Sequence, residues 1–134
     1  MTWLFKEEPA HYGFDQLERD GRTTWSGVKN PLAQKHLRSV KKGDRILYYH
    51  TGDEKAVVAY ATAAGAAYPD PDDRAGKAYV VDIVPGARLS RPVRLSELKA
   101  LPALADFPLV RMPRLSVMPV TDQQLREIER LAQT

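Results

Sequence analysis

Short apolar runs recur along this chain: Trp3-Leu4-Phe5, Ile46-Leu47-Tyr48-Tyr49, Val57-Val58-Ala59-Tyr60, Tyr79 to Val84 and Leu115 to Val120. Most are rich in β-branched or aromatic side chains and bounded by glycine, proline or charged residues, which is how buried strands read. No helical pattern separates them at regular intervals. A doubly wound parallel sheet needs a helix after nearly every strand, so that architecture is set aside. What fits is an α+β fold, a small, partly open barrel of about five or six strands with short helices packed beside it.

The helices announce themselves through their ends. Asn30-Pro31 combines an N-cap acceptor with a proline at the first helical position. Behind it, Leu32, His36, Leu37 and Val40 supply one face, and Lys35, Arg38 and Lys42 another. Thr121-Asp122-Gln123-Gln124 is a capping box, followed by Leu125, Ile128 and Leu131 as an apolar stripe. Phe14 to Arg19 reads as a helical turn or two stopped by Asp20-Gly21, and Ser96 as the cap of a short helix over 97–99. Pro85-Gly86 is expected to turn the chain after the strand ending at Val84, and Pro92 to mark an edge or bulge.

With 134 residues, 43% of them hydrophobic, the chain can bury one core without metals or disulfides, and a single domain over 1–134 is expected. It has no cysteine and three histidines (His11, His36 and His50), so thiolate chemistry is excluded and neither a metal site nor a cofactor is expected. No apolar run is long enough to span a bilayer, and the N-terminus opens on a strand pattern, so a cytoplasmic protein with no membrane partner is expected, a monomer. The net charge of +3 is small, but its distribution is uneven. Lys29, Lys35, Arg38, Lys41, Lys42 and Arg45 face only Asp44 in that stretch, while acids gather in Pro69-Asp70-Pro71-Asp72-Asp73. A solvated helix face explains such a run as readily as a phosphate grip does.

Phosphate-binding glycine loops, zinc helix motifs and nucleophile elbows are all missing. Glu7 and Glu8 are adjacent, so on a strand they point to opposite faces and cannot work as an acid–base pair. Nucleobase recognition asks for other parts: aromatic walls, a few polar groups for the base edge, and basic residues for phosphates. Trp25, in the polar stretch Thr23-Thr24-Trp25-Ser26-Gly27, and Tyr48 or Tyr49 are candidate walls; Glu8, Ser26, Asn30 and His50 are candidate edge contacts. A tryptophan in such a stretch is equally a core anchor pinned beneath a loop.

Trp3-Leu4-Phe5-Lys6-Glu7-Glu8-Pro9 is followed by Asp20-Gly21-Arg22-Thr23-Thr24-Trp25-Ser26-Gly27-Val28-Lys29-Asn30, Lys42-Gly43-Asp44-Arg45 with Tyr48-Tyr49-His50-Thr51, Ala67-Tyr68-Pro69-Asp70-Pro71, and Arg114-Leu115-Ser116-Val117. In this order, over nearly the whole chain, these blocks resemble the EVE domain, a family of the PUA-like superfamily related to YTH readers of methylated RNA. The resemblance implies a PUA-like barrel that takes a flipped, modified base, modified cytosine in DNA, without catalysis. It implies a base pocket drawn from Lys6, Glu8, Trp25, Ser26, Asn30, Tyr48, His50, Thr51, Leu115 and Ser116. Lys29, Lys35, Arg38, Lys42 and Arg114 would hold phosphates. The family usually carries serine where Glu7 stands, and often glutamine where Met118 stands. Two other readings compete: an RNA-binding PUA-like module without modification specificity, and a small hydrolase or nuclease of the ASCH kind using Lys6, Glu8 and His50.

Overall fold

The computed structural model describes residues 1–134. Its strands are β1 (Thr2–Glu7), β2 (Thr23–Trp25), β3 (Arg45–His50), β4 (Ala56–Ala63), β5 (Tyr68–Pro69), β6 (Tyr79–Arg94) and β7 (Val117–Val120). The helices are α1 (Pro9–Tyr12), α2 (Phe14–Asp20), α3 (Pro31–Arg38), α4 (Leu95–Lys99), α5 (Pro108–Arg111) and α6 (Asp122–Ala132), with a 3-10 turn at Pro102–Leu104. All strands join one sheet in the order β2-β6-β4-β3-β1-β7, with β5 added beside β6. β1 and β3 are parallel, and the other pairs are antiparallel. The parallel pair needs a crossover, and residues 8–44 supply it.

The sheet curls strongly. β1 and β2 are separated by β3, β4 and β6 in the strand order, so in a flat sheet they would lie about 19 Å apart at ~4.8 Å per step. Yet the Phe5 and Trp25 rings are 5.2 Å apart. The result is an α+β half-barrel of seven strands, slightly more than expected, with helices packed at its side. No helix is long and apolar enough to cross a membrane.

Several local expectations hold for their stated reasons. Asn30 Oδ1 accepts from the Leu32 and Ala33 amides at 2.9 and 3.0 Å, which starts α3. Thr121 and Gln124 form the reciprocal capping box of α6. Gly21, at φ 74, stops α2 by sending its N–H to the Leu17 carbonyl.

Others are corrected. Pro85-Gly86 does not turn the chain, because β6 runs straight through it opposite β4, with register shifts that absorb the missing proline donor. Gly86 is needed there for space, since a Cβ would lie 3.0 Å from the Tyr60 carbonyl oxygen. The last helix before the 3-10 turn begins at Leu95, not after Ser96; Arg94 is its N-cap, with Glu97 accepting the Arg94 N–H at 3.0 Å. On α3 the buried face is Ala33, Gln34 and Leu37, and Leu32 lies on the surface.

Candidate functional site

The C-terminal end of β1 organises the candidate site. Strand alternation puts Phe5 and Glu7 on one side and Lys6 on the other. Phe5 packs on Trp25, and Glu7 lines a cleft of ≈ 210 Å³ together with His11, Tyr12, Thr23, Thr24, Trp25 and Ser26. Glu7, not the expected Glu8, is the carboxylate that lines this cleft. Glu8 has already left the strand to become the N-cap of α1, and it points toward Gly52. Glu7 is held in place: its Oε1 accepts the Glu8 N–H at 2.8 Å, and its Oε2 lies 3.2 Å from His11 Nδ1.

Trp25 combines the two roles that its sequence surroundings left open. It is only 6% exposed and packs between Phe5 and the edge of Tyr48, whose centroid is 5.5 Å away. It is therefore a packed core residue that still lines the cleft, rather than an open wall. The two tryptophans differ in their N–H groups. Trp3 Nε1–H donates to Asp44 at 2.9 Å. Trp25 Nε1–H has no partner within the protein, and it is not sealed from solvent. It remains a free donor.

Tyr48 and His50 are corrected from base contacts to framework. Tyr48 is fully buried; its hydroxyl donates to the Tyr12 carbonyl at 2.5 Å and ties α1 to β3. Burial, reinforced by nearby Glu7, pushes the Tyr48 phenol well above its ordinary pKa. His50 spends both ring nitrogens: Nε2 accepts the Phe14 N–H at 3.1 Å, and Nδ1 sits 2.7 Å from Glu54. Neither ring nitrogen of His50 is left without a partner in the protein.

The remaining expected pocket residues fall into two further depressions. Lys6 and Thr51 line a ≈ 280 Å³ cavity on the other side of β1, floored by Tyr49 and walled by Leu109, Val110 and Pro113. Lys6 Nζ donates to the Pro113 carbonyl at 3.0 Å, and its partial burial lowers its pKa. Asn30, Arg114 and Leu115 line a shallower cleft, which meets the Lys6 cavity at Pro113. Asn30 uses its side-chain oxygen to cap α3, which leaves its amide NH₂ for any ligand there. Ser116 serves through its backbone, accepting the Lys6 N–H at 2.9 Å and joining the two strands. What was expected as one pocket is thus a set of depressions around the end of β1.

The expected phosphate residues also disperse. Lys42 precedes Gly43-Asp44, and Asp44 pairs with the N-terminus at the start of β1. Glu7 lies five residues further along the strand, about 17 Å away at ~3.3 Å per residue, so Lys42 is at the wrong end for this cleft. Arg38 is engaged: its Nε–H donates to the Gln34 carbonyl at 3.4 Å, and its guanidinium stacks 5.6 Å from the Tyr79 ring centroid. Lys35 is exposed on α3. Lys29 shares a groove with Asp70, Asp72 and Asp73, and Arg114 is exposed beside Asn30.

Sequence reasoning missed Glu7, His11, Tyr12, Thr23 and Thr24 in the Trp25 cleft, and Lys55 and Lys99 around Lys6, where Tyr49, offered as one of two aromatic walls, also lies. The two-residue period from Phe5 would have found Glu7. Nothing local could have found Lys99, because it arrives on a helix far along the chain.

A curled mixed sheet of this order, with short helices at its side and a polar, aromatic-edged cleft at one strand end, defines a PUA-like half-barrel. An ASCH protein from Zymomonas mobilis shares that fold with a TM-score of 0.58 at 15% identity, covering 97% of this chain and 94% of that one. The chain belongs to the EVE domain family, whose model matches residues 1–131. It superposes on Rpa0253 from Rhodopseudomonas palustris with a TM-score of 0.93 at 39% identity, over 98% of this chain and 92% of that one. Human thymocyte nuclear protein 1 is 25% identical over 91% of this chain and 69% of its own length. The crystal structure of human THYN1 in complex with DNA containing 5-methylcytosine matches with a TM-score of 0.88 at 24% identity, over 99% and 98% of the two chains.

Proposed function

We propose that this EVE domain is a non-catalytic, monomeric, cytoplasmic reader of nucleic acid, and that it takes an extruded modified base, modified cytosine in DNA, at the Trp25 cleft. The observation that carries the reading is the unpartnered Nε1–H of Trp25, an indole that lines the same cleft as the fixed Glu7 carboxylate and Ser26. A free donor beside fixed acceptors is what the edge of a nucleobase needs, and the exocyclic amine of cytosine would donate to Glu7. The complex of the human relative with DNA containing 5-methylcytosine supports the choice of ligand.

Extruding a base from a duplex costs a few kcal/mol. Stacking returns roughly 1–3 kcal/mol per base. A methyl group adds ~0.8 kcal/mol by burial, which is only about fourfold in affinity. Arg114, Lys29 and Lys35 supply the phosphate contacts in this reading.

The test is a binding panel of matched duplexes carrying cytosine, 5-methylcytosine, 5-hydroxymethylcytosine, adenine or N6-methyladenine, with RNA counterparts, measured for wild type and Glu7→Gln. The expected result is tightest binding to a modified-cytosine DNA, and a change of rank order in Glu7→Gln. Equal affinity across the panel in both proteins would replace this reading with a general nucleic-acid binder. Turnover of any oligonucleotide would replace it with an enzyme.

A further inference from the structure

The cavity on the Lys6 side of β1 is built from groups that the base-reading proposal does not use. Three lysines, Lys6, Lys55 and Lys99, line it, and no acidic residue does. None of the three is in an ion pair; every salt bridge of the chain is made by arginine, histidine or the N-terminus. Three uncompensated cations on one concavity repel one another, and that repulsion is relieved by a bound anion.

Tyr49 points to the same conclusion by an independent route. It is only 3% exposed, yet its hydroxyl makes no hydrogen bond in the protein and is not sealed from solvent. A buried phenol normally finds a partner, so one left open on a cavity it lines is a donor held ready. Thr51 adds a second hydroxyl, and Lys6 is steadied by the Pro113 carbonyl at 3.0 Å and by the Tyr49 ring, 5.7 Å from its centroid.

The backbone at Lys55 is also unusual. At φ 47 it is the chain's single non-glycine residue with positive φ. Lysine is not a residue that favours the left-handed region, and such conformations concentrate at ligand sites. Here the turn delivers the Lys55 side chain to the cavity, while the Lys55 carbonyl accepts the Leu95 N–H at 2.8 Å and fixes the start of α4.

We infer that this cavity binds a phosphate monoester carried on a small organic body. Lysines are strong point-charge partners for phosphate, and three ammoniums with two hydroxyls offer more donors than a carboxylate can accept. Leu95, Leu109, Val110 and Pro113 provide the apolar wall for the rest of the ligand. The volume, ≈ 280 Å³, lies just below the ~300–1,000 Å³ usual for small-molecule sites, which suits a small ligand. Acids bound the site without entering it. Asp53 and Glu54 stand in the adjoining groove with Lys55 and Lys99, Glu54 is committed to His50, and Glu8 Oε1 comes within 3.8 Å of the Cβ position of Gly52. That rim favours a compact anion over a long polyanionic strand. A monoester has two sources, a free nucleotide or the 5′-phosphorylated end of an oligonucleotide, and both carry the same chemistry.

The experiment is a titration of the ¹⁵N-labelled full chain, followed by NMR, with inorganic phosphate, cytidine, cytidine 5′-monophosphate, and a short oligonucleotide with and without a 5′-phosphate. The expected result is a saturable shift of the Tyr49, Lys55, Lys99 and Val110 amides by the monophosphate and not by cytidine. Tyr49→Phe and Lys99→Gln, both conservative for folding, should each weaken it about five- to tenfold. A shift of the same amides by the 5′-phosphorylated oligonucleotide alone assigns the site to a strand end. The inference is overturned if no phosphate compound moves these amides, if cytidine and its monophosphate move them alike, or if both variants bind as wild type does. It stands apart from the base-reading proposal, whose own panel reads out as the rank order of duplex affinities and its change in Glu7→Gln.

Discussion

The two sides of β1 make different surfaces from adjacent residues. On one side Phe5 and Glu7 meet Trp25, Ser26 and the threonines of β2, giving a narrow cleft with a carboxylate and hydroxyls. On the other, Lys6 meets Tyr49 and the lysines at 55 and 99, giving a cationic cavity with an aliphatic wall. Even the tyrosines divide this way. Tyr48 spends its hydroxyl on the framework of the first side, and Tyr49 keeps its own free on the second. A strand covered on both faces can serve two clefts of opposite charge, because its side chains alternate and its backbone pairs keep the faces apart.

The largest effect expected is on the Trp25 side. Trp25→Ala should cost about 3–5 kcal/mol in urea unfolding, since it empties the contact between Phe5 and Tyr48. This replaces the modest loss that an open pocket wall would imply. A loss below about 1 kcal/mol would mean that Trp25 anchors nothing.

Next in size is the contrast between neighbouring tyrosines. Tyr48→Phe should cost about 1–2 kcal/mol, because it leaves the Tyr12 carbonyl without its donor. Tyr49→Phe should change stability by less than about 0.5 kcal/mol, because no protein bond is lost. Equal losses by chemical denaturation would erase the distinction between the two sides.

Acid should loosen the Lys6 side through α4. Glu97, within α4, accepts from Arg91 twice at 2.9 Å and from the Arg94 N–H, and these bonds hold its carboxyl down to about 2 from an ordinary value near 4.5. A depressed carboxyl pKa contributes stability that is complete above about 4.5 and lost as pH falls toward 2. Amide exchange of Leu95 to Lys99 should rise in that window, and Glu97→Gln should flatten the rise.

The smallest effect separates the ends of the strand. Arg114→Glu should lower the steepness of log affinity against log salt for duplex DNA by about one unit, while Lys42→Glu should leave it unchanged. A loss of slope in Lys42→Glu would place nucleic acid at the far end of β1.

Residues that act on their near neighbours were legible in the sequence. The Asn30 cap, the Thr121–Gln124 box and the Gly21 stop each complete their bonds within a few residues, so their chemistry is present in the string. The run through Pro85-Gly86 was not legible, because a proline and glycine tolerated beside β4 look locally like those of a turn. The family resemblance brought Trp25, Ser26, Asn30 and Arg114 to one end of the barrel, but it did not distinguish Glu7 from Glu8. That choice depends on where β1 ends, and Glu8 leaves the strand to cap α1.

The sequence by itself determined the class of sheet, the helix starts, the absence of thiol chemistry and the family. These follow from composition, from periods of two or three to four residues, and from blocks in a fixed order. Only the tertiary structure decided that Trp25 is buried, that His50 has no free nitrogen, and that Lys6, Lys55 and Lys99 share a cavity. Each of those facts depends on partners brought together by the curl of the sheet: Phe14 for His50, Phe5 and Tyr48 for Trp25, and α4 for Lys6. Burial and hydrogen-bond satisfaction are properties of such long-range contacts, and no period along the chain encodes them.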